Sequence, residues 1–552
     1  MSALTTEIFE NAASSPKGLN VGTVASPVRL SWHAVHEGAR QMAGALAAHG
    51  IGPGTSVAVL AADPANVAPM TQALWMRRAA LTMLQQPTPR MDLEVWLHDT
   101  IRAIRMLKAD LVVVDEPFLT VRKHLEQQGI TSCTMASTRM NKPIEPLEAA
   151  EDDVALRQLT SGSTGTPKAV EITHANFAAG GAAMRDAVAF DVERDVTLSW
   201  LPLSHDMGMV GGLCLPMQVG CEAVAATPDQ FLRRPLMWAE LISRHDVTLT
   251  YGPNFAYMIL ARVLERTEPD ILDLSSLRLA INGGEPIDPR DLDRFAAAGA
   301  RHGLQESAQT PCYGLAEVVM GATFGGTHAP IVDIVSREAI TCRNRASAAN
   351  DEESQSAATQ HIVCVGLPLK GMDVRITRNG IPQLSREIGS IEVRGPAVAS
   401  RYLTDEGFVS LANAAGWFDT GDLGYLDEAG RMFICGRAKD LIVLAGKNVY
   451  PDDIERAAAT VNGVRKGCVI AVRVGGGDER EGFAVLAEAH GVDDPDVRSR
   501  LVQQITTQVN RHVGYAPRDV LILPANAVPK TASGKLCRSS AITLLKTKAT
   551  NA

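Results

Sequence analysis

The sequence has no closely spaced pair of cysteines and no excess of positively charged residues. Its nine cysteines form no C-x-x-C pair and no spacing typical of metal ligands. This pattern argues against a disulfide framework or a zinc site and predicts reduced, mostly buried thiols. The net charge of −9 argues against a general affinity for nucleic acid or anionic membranes. An acidic substrate would therefore need a local basic site.

Long hydrophobic runs are also missing. No uninterrupted apolar stretch reaches the length of a membrane span, and the first residues, MSALTTEIFENAASS, lack the basic and apolar regions of a secretory signal. We therefore expect a cytoplasmic protein without a membrane span. Aromatic residues make up only 5% of the chain, but 46% of residues are apolar and 21% are charged, which is a globular balance. The 552 residues would form about three to four domain-sized units.

Short apolar runs alternate with helix-like segments along most of the chain. Val35, Ala39, Met42 and Leu46 share one helical face, and a run typical of a buried strand follows. Buried strands are predicted at residues 57–60, 111–114, 247–249, 277–281 and 362–365. The alternation predicts an α/β fold whose large N-terminal body contains mixed, largely parallel sheets with helices.

The C-terminal part has a pattern of its own. Residues 468–474 and 483–487 are typical of strands, and apolar residues from Val497 to Val513 form one helical stripe. This predicts a separate, small α/β domain. The polar, glycine-bearing stretch 435–440 suits a hinge. The predicted division is an N-terminal body over residues 1–436, a hinge over 437–440 and a C-terminal domain over 441–552.

A loop rich in glycine and hydroxyl groups, LTSGSTGTPKAV, occupies residues 159–170. Its glycines would let the backbone approach an anion, which the hydroxyl groups and the Lys168 ammonium would then face. The P-loop of nucleoside triphosphatases requires G-x-x-x-x-G-K-S/T, whereas here Gly162, Gly165 and Lys168 are three residues apart and Ala169 follows the lysine. Considered alone, the loop is equally compatible with a solvated linker.

Four further stretches contain residues suited to a nucleotide. NGGEP at 282–286 follows a predicted strand, so a planar base could lie against its glycines. PCYGLAE at 311–317 offers an aromatic face and a carboxylate suited to Mg²⁺. WFDTGDL at 417–423 has two carboxylates that could accept from ribose hydroxyls, and PKTASGK at 529–535 places a lysine in a loop. Singly, each stretch is also typical of an ordinary turn or a core segment.

The occurrence of these stretches in this order resembles the adenylate-forming superfamily of acyl-CoA synthetases, luciferases, peptide-synthetase adenylation domains and fatty acyl-AMP ligases. The resemblance spans residues from about 30 to about 540. It implies that an acyl carboxylate attacks the α-phosphate of ATP, with Mg²⁺ present and pyrophosphate leaving, and that the acyl-adenylate then reacts with a thiol. It also implies a small domain that swings between the two half-reactions.

The resemblance assigns a role to each matching residue. The loop for the β- and γ-phosphates would comprise Thr160, Ser161, Gly162, Ser163, Thr164, Gly165 and Lys168. The adenine site would comprise Gly283, Gly284, Glu285, Tyr313 and Gly314. Glu317 would bind Mg²⁺, while Asp422 and Arg437 would hold the ribose hydroxyls. Lys535 would bridge the substrate carboxylate and the α-phosphate, and Asp440 would be the pivot of the small domain.

Within the superfamily, the stretches WLPLSHDMG at 200–208, GPNFAY at 252–257 and GKNVYPDDIE at 446–455 are most similar to fatty acyl-AMP ligases. The resemblance implies that His205 lies near the substrate carboxylate and that Phe255 or Tyr257 lies near the acyl chain. A structural, hydrogen-bonded histidine and two core aromatics are the open alternatives.

Two positions depart from the pattern of many members of this family. Ser204 stands in place of an aromatic residue, which leaves the preferred chain length open. Ala169 stands in place of a glycine, which slightly stiffens the phosphate loop.

Fatty acyl-AMP ligases also carry an extra segment after the Tyr-Gly-x-Ala-Glu motif, which limits movement of the small domain. Residues 332–340 and the polar run 343–360 are the candidate here, and an ordinary surface excursion is the alternative. The predicted partners are a fatty acid and an acyl carrier protein, or a carrier domain of a polyketide or peptide synthase. Rival interpretations are a fatty acyl-CoA synthetase and a catalytically silent, nucleotide-binding regulatory protein. An aryl or amino acid ligase is less favoured, because no acidic residue is clearly placed to hold a substrate amine.

Overall fold

The computed structural model describes residues 1–87, 91–161, 167–349, 358–444, 446–476, 479–530 and 535–550. The chain forms two compact units. The N-terminal unit comprises residues 1–330, 366–373 and 393–418, and the C-terminal unit comprises residues 331–365, 374–392 and 419–552. Two internal segments therefore belong with the C-terminal part of the chain. The boundary after residue 436 and the hinge at 437–440 remain predictions, because compactness alone does not report motion.

The N-terminal unit is built on two sheets, which contain nine and eight strands within the described residues. Neighbouring strands in the centre of the nine-stranded sheet run parallel: Gly18–Thr23, Glu222–Ala225, Val196–Ser199, Leu249–Gly252, Leu279–Asn282 and Gln309–Tyr313. Antiparallel strands flank them: Ser26–Ser31 at one edge, and Thr323–Phe324 with Leu367–Pro368 at the other. The central strands are short apolar runs, as expected for parallel strands covered on both faces.

The eight-stranded sheet has the same plan. Its parallel strands are Val154–Ser161, Ala80–Met83, Ser56–Leu60, Leu111–Val114 and Ser132–Thr134. Its antiparallel strands are Pro167–Thr173, Arg401–Thr404 and Gly407–Ser410. Val154–Ser161 and Pro167–Thr173 pair with each other, so this sheet contains the described ends of the glycine- and hydroxyl-rich stretch.

The helices of the N-terminal unit include the crossovers that parallel strands require. They are Ala3–Ser14, Trp32–Ala48, Pro64–Met76, Leu93–Met106, Val121–Gln127, Met135–Thr138, His174–Ala187, Leu215–Val219, Pro228–Arg233, Met237–His245, Asn254–Leu264 and Pro289–Ala300. Side chains at their first residues explain several helix starts. Ser31 accepts from the Ala34 N–H, and Thr173 forms a capping box with Asn176. A fully buried π-helix spans Met207–Cys214. π-Helices are rare in proteins, and those that occur are often found at functional sites.

The C-terminal unit contains smaller sheets. One has the strands Ile381–Pro382, Asp373–Arg378, Gly389–Arg394, Phe418–Leu426 and Met432–Arg437. Another has Val464–Gly476, Glu479–Ala489 and Asp519–Leu523. Two further antiparallel strand pairs join Val332–Ser336 with Thr359–Val363 and Ile442–Leu444 with Lys447–Val449. The helices are Arg337–Arg343, Pro451–Ala459, Pro495–Val513 and Arg538–Thr550.

The structure confirms the predicted α/β class. Leu501, Ile505 and Val509 of the predicted helical stripe are buried against the strands of the C-terminal unit. None of the nine cysteines forms a disulfide bond and six of them are buried, as expected. Short 3₁₀ turns complete the fold at Glu306–Ala308, Ala316–Val318 and Ala438–Asp440. Across the described ranges, no helix is both long enough and apolar enough to cross a membrane.

Candidate active site

The described ends of the predicted phosphate loop belong to two paired antiparallel strands. Thr160 pairs with Lys168 and Ser161 pairs with Pro167 at the ends of these strands. Gly162, Ser163, Thr164 and Gly165 lie outside the described residues. Among the residues that are described, the buried Thr160 Oγ1 has no hydrogen-bonding partner. Buried polar atoms normally have a partner, so this hydroxyl fits a site whose partner is a bound anion.

The predicted adenine-binding residues follow two adjacent parallel strands. Asn282 and Pro311 are direct neighbours in the sheet, so the Gly283–Gly284 turn lies beside Tyr313. Gly284 has a φ of +80°, and a side chain at Gly283 would come within 2.7 Å of the Cys312 Sγ atom. Both positions therefore require glycine. Ligands of parallel α/β sheets bind at the carboxyl ends of the strands, which is where these residues lie.

The remaining predicted adenine residues have structural contacts as well. The Glu285 carboxylate accepts from the backbone N–H of Phe255 at 2.6 Å, which caps the helix Asn254–Leu264. Gly314 approaches the backbone so closely that a Cβ atom there would lie 1.7 Å from the Met320 carbonyl oxygen. These contacts fix the conformation of both turns before any nucleotide contact is considered.

Glu317 lies in the 3₁₀ turn Ala316–Val318 and is almost completely buried. Its Oε1 atom accepts from the Tyr402 hydroxyl at 2.6 Å and lies 3.7 Å from the Lys168 Nζ atom. The Lys168 ammonium in turn lies over the Tyr402 ring, 3.6 Å from its centroid. The structure thus brings together two predicted site residues, Lys168 and Glu317, and adds Tyr402 to them.

The donor set around Glu317 fits Mg²⁺ that is delivered with a nucleotide. Within the described part of the chain, no group of three or more His, Cys, Asp or Glu side chains is arranged to hold a metal ion. Mg²⁺ in nucleotide sites usually binds one or two carboxylates, several waters and the phosphates of the substrate. Glu317 can therefore serve as a single protein ligand when the phosphates supply the rest.

His205 lies two residues before the π-helix Met207–Cys214. Its Nδ1 atom lies 2.6 Å from the Asp206 Oδ1 atom, and that carboxylate also accepts from the Met207 N–H at 2.7 Å. About a quarter of the His205 side chain is exposed. The contact with Asp206 fixes the ring, which suits both a structural histidine and one that is oriented toward a substrate. Both interpretations stay open.

The two aromatic candidates for the acyl site differ. Tyr257 is buried between the Trp238 and Phe295 rings, with centroid distances of 4.9 and 5.1 Å, and its hydroxyl donates to the Ile281 carbonyl. Burial raises the pKa of Tyr257 well above its ordinary value. These contacts favour the alternative of a core residue for Tyr257. Phe255 is partly exposed at the start of the same helix, so it remains the better candidate for contact with an acyl chain.

The predicted ribose-binding pair lies in the C-terminal unit. Asp422 and Arg437 are directly opposite each other on antiparallel strands, and the Arg437 Nε atom lies 3.1 Å from the Asp422 Oδ1 atom. Asp422 is buried, whereas more than half of the Arg437 side chain is exposed. The pair therefore presents a carboxylate and a guanidinium at one place, as the resemblance requires.

Lys535 and Asp440 also belong to the C-terminal unit. Lys535 is half-buried and follows residues 531–534, which lie outside the described ranges. Lys530 pairs with Leu536, and the Cys537 N–H donates to the Pro529 carbonyl oxygen, so the base of this loop is a narrow hairpin. Asp440 ends the 3₁₀ turn Ala438–Asp440.

Arg538 connects the lysine loop to the predicted pivot. Its Nη2 atom lies 3.1 Å from the Asp452 Oδ1 atom and 2.8 Å from the Glu455 Oε1 atom. Its Nη1 atom lies 3.9 Å from the Asp440 Oδ2 atom. Sequence reasoning missed Arg538 and Tyr402. The position of Arg538, three residues after Lys535 in a recognised motif, was an available signal, whereas nothing in the sequence spacing points to Tyr402.

The fold is that of an adenylate-forming ligase, the class of enzyme that uses ATP to activate a carboxylic acid. The chain belongs to the AMP-binding enzyme family, and the sequence model of that family matches residues 9–403.

Similar proteins include fatty acid ligases. A protein of Mycobacterium tuberculosis H37Rv named "Putative ligase Rv1013" is 46% identical over 548 residues, which cover 99% of this chain and 100% of that protein. The medium-chain fatty acid–acyl-carrier-protein ligase JamA of Moorena producens is 31% identical over 427 residues, covering 74% of this chain and 69% of JamA. A structure from a study of fatty acyl-adenylate ligases of E. coli and L. pneumophila superposes with a TM-score of 0.92 at 25% identity, covering 100% of this chain and 99% of that one.

Proposed function

We propose that this protein is a fatty acyl-AMP ligase. It activates a fatty acid with ATP to give acyl-adenylate and pyrophosphate, and it passes the acyl group to the phosphopantetheine thiol of an acyl carrier protein or of a carrier domain. The alternative is a fatty acyl-CoA synthetase, which shares the first half-reaction and differs in the thiol acceptor. Mg²⁺ supplies positive charge that offsets the charge of the phosphates when it is bound.

In the first half-reaction, a carboxylate oxygen of the fatty acid forms a bond to the α-phosphorus, and the bond from that phosphorus to the pyrophosphate oxygen breaks. The carboxylate and the triphosphate are both anions, and the carboxylate must approach the α-phosphorus in line with the bond that breaks. Lys168 and Thr160 bind the β- and γ-phosphates, Glu317 holds Mg²⁺, and the Lys535 ammonium lies between the carboxylate and the α-phosphate. Lys535 contributes most in the transition state, where negative charge is most concentrated.

In the second half-reaction, the thiol sulfur attacks the acyl carbonyl carbon, the thiol proton is lost, and AMP leaves with the electron pair of the broken C–O bond. The C-terminal domain pivots at Asp440 between the two half-reactions, which removes Lys535 from the reacting atoms. The proposed domains are the body over residues 1–436, the hinge over 437–440 and the mobile domain over 441–552.

The packing of the segment after Glu317 is the observation that favours a carrier-protein acceptor. This segment, residues 331–365, belongs to the same compact unit as the C-terminal part of the chain. The Arg337 Nη1 atom lies 3.3 Å from the buried Asp453 Oδ2 atom, and its Nη2 atom lies 3.0 Å from the His512 Nε2 atom. The Asn448 amide donates to the Asn344 Oδ1 atom at 2.6 Å. These contacts support a segment that restrains the domain carrying Lys535.

A restraint of this kind disfavours the arrangement in which free CoA would react. A carrier protein can offset the cost of rearrangement with contacts of its own, whereas a small thiol cannot. The test is to incubate the protein with ATP, Mg²⁺ and a panel of fatty acids, adding either CoA or a phosphopantetheinylated carrier protein, and to identify products by mass spectrometry. We expect acyl-adenylate in both mixtures and thioester mainly on the carrier. Efficient acyl-CoA formation would identify a CoA synthetase, and no adenylate with any acid would identify a silent protein.

Substitution of Arg337 tests the restraint directly. We expect Arg337→Ala to raise acyl-CoA formation about tenfold, if its contacts contribute about 1.4 kcal/mol to the restrained arrangement, and to leave acyl-adenylate formation unchanged. Arg343→Ala is the matched control, because Arg343 lies on the same helix and forms an exposed ion pair. Its Nη2 atom lies 2.7 Å from the Glu338 Oε2 atom, and the two side chains are equally exposed. Equal acyl-CoA yields from the two variants would contradict the restraint.

A deletion within residues 346–358 is a poorer test of the same idea. Ala346 is completely buried against Val335 and Ile340, and its N–H donates to the Arg386 carbonyl oxygen at 2.8 Å. Removing it would disturb the core of the C-terminal unit, so loss of function would have more than one cause.

A further inference from the structure

Tyr402 lies between two residues that the proposed function assigns to the nucleotide. Its hydroxyl donates to the Glu317 Oε1 atom at 2.6 Å, and the face of its ring lies 3.6 Å from the Lys168 ammonium. The same side chain thus contacts the proposed Mg²⁺ ligand through its polar end and the proposed phosphate-binding cation through its apolar face. Lys168 and Glu317 are themselves only 3.7 Å apart, so the three groups form one cluster.

The backbone around Tyr402 is fixed from several directions. Tyr402 lies opposite Val170 in the eight-stranded sheet, two residues beyond Lys168 on the paired strand. The preceding residue, Arg401, forms an ion pair with the buried Glu171 carboxylate at 2.5 Å. The Ala399 N–H donates to the Glu317 carbonyl oxygen at 2.8 Å. The strand with Tyr402 and the residues just before it therefore hold both the side chain and the backbone of Glu317.

The chemistry of the two contacts is different. The hydroxyl is the donor in the contact with Glu317, because an ionised carboxylate can only accept. A hydrogen bond to a carboxylate fixes one of its oxygens and leaves the other oxygen for a metal ion. The ring attracts the ammonium through its negative face and restricts a side chain that otherwise has many rotamers.

We propose that Tyr402 is a positioning residue for the Mg²⁺–ATP complex, whose hydroxyl orients Glu317 and whose ring orients Lys168. This proposal rests on the ATP-dependent activity proposed above. Tyr402 touches neither reacting atom, and it acts by reducing the reorganisation that the two charged side chains undergo when nucleotide binds.

Two substitutions separate the contacts. Tyr402→Phe removes the hydroxyl and keeps the ring, whereas Tyr402→Leu removes both. Isothermal titration with a non-hydrolysable ATP analogue is carried out in EDTA and at increasing Mg²⁺ concentrations. We expect Tyr402→Phe to bind the analogue in EDTA as the wild type does, but to require about tenfold more Mg²⁺ for the tighter binding that the metal produces. We expect Tyr402→Leu to show the same Mg²⁺ defect and, in addition, to bind about three- to tenfold more weakly in EDTA.

A matched control accounts for the loss of a buried tyrosine hydroxyl. Tyr425 in the C-terminal unit is fully buried and donates to the Asp333 carboxylate at 2.7 Å, so Tyr425→Phe loses the same kind of hydrogen bond. We expect this variant to match the wild type in both titrations. Thermal unfolding of each variant without ligand verifies that the protein is folded during titration.

The outcomes distinguish the two proposals. If the wild type does not bind the ATP analogue at all, the proposed function fails. If the wild type binds it and Tyr402→Phe keeps the wild-type Mg²⁺ requirement, the hydroxyl does not orient Glu317. If Tyr402→Leu binds the analogue in EDTA as tightly as Tyr402→Phe, or more tightly, the ring does not prepare Lys168 for phosphate, and that part of the proposal is overturned.

Discussion

Replacement of Arg538 by methionine should lower the local stability of the segment that carries Lys535. The size of this destabilisation should depend on pH. Methionine keeps much of the apolar stem and removes the charge. In the wild type, the guanidinium faces three carboxylates, those of Asp440, Asp452 and Glu455, and less than a quarter of its side chain is exposed. Glu455 also accepts from the Ala471 N–H at 2.8 Å, so its carboxyl group is fixed in place when the arginine is removed.

The pH dependence follows from the carboxyl group of Glu455. Burial raises its pKa from 4.5 to about 8, and the positive charge of Arg538 opposes this rise. The native state therefore binds this proton more tightly than the unfolded state does, and the stability contributed by that difference is lost as the pH rises through about 8. Without Arg538 the pKa rises further. Breaking a buried ion pair costs about 3–5 kcal/mol, so we expect a destabilisation of that size at pH 9 and a smaller one at pH 6, where the carboxyl is protonated.

Tryptophan fluorescence cannot measure this effect, because all six tryptophans lie in the N-terminal unit, at positions 32, 75, 96, 200, 238 and 417. Hydrogen exchange followed by mass spectrometry can report the helix Arg538–Thr550 and the strand Asp519–Leu523 directly. A local loss of about 3 kcal/mol would accelerate amide exchange there about a hundredfold at pH 9. Arg500→Met is the control, since Arg500 is an exposed arginine whose Nε–H donates to the Asp496 carbonyl oxygen within its own helix.

A double variant completes the test. Adding Glu455→Gln to Arg538→Met removes the buried ionisable group, so the extra destabilisation at pH 9 should largely disappear. If Arg538→Met accelerates exchange over the wild type by the same factor at pH 6 and at pH 9, or if the double variant is no more protected than the single one at pH 9, the reasoning about Glu455 is refuted.

Two further predictions concern the proposed catalytic and pivot residues. Lys535→Ala should slow acyl-adenylate formation about 10²- to 10³-fold while ATP binding stays near the wild-type value, because the ammonium acts where charge develops; near-normal pyrophosphate release would refute its role. Asp440→Pro fixes φ and should slow thiol transfer more than adenylation, with Asp440→Ala as the control for loss of the carboxylate near Arg538; equal loss in both half-reactions would count against the pivot.

The local pattern of apolar residues predicted strands well where burial alone determines their position. The strand Leu111–Val114 was expected at those residues, and Ser56–Leu60 begins one residue before the expected run. The runs at 247–249 and 277–281 were placed too early, since the strands are Leu249–Gly252 and Leu279–Asn282. Both strands continue into polar or small residues at the carboxyl edge of the sheet. Hydrophobicity does not mark that edge, although the site lies there.

The site shows the same division between local and non-local information. Turn residues such as Gly283 and Gly284 carry their own signal, because the backbone there requires glycine. Tyr402 carries none, because it meets Glu317 only through the sheet order that sets its strand beside Pro167–Thr173. The π-helix at Met207–Cys214 was equally hidden, since its apolar residues and glycines have no period that distinguishes it from a buried α-helix.

The antiparallel hairpins at the rims of the two large sheets bear on aggregation. An unpaired strand edge is a template for another chain, and proline or charge on the outer strand blocks such pairing. The outer strand Ser26–Ser31 contains Pro27, and Arg29 on it forms an ion pair with Glu222 at 2.8 Å. The outer strand Gly407–Ser410 has no such charge and exposes Phe408 and Val409. In a concentrated solution, Gly407–Ser410 should therefore pair with another chain more readily than Ser26–Ser31 does, and a lysine at Val409 should suppress that pairing.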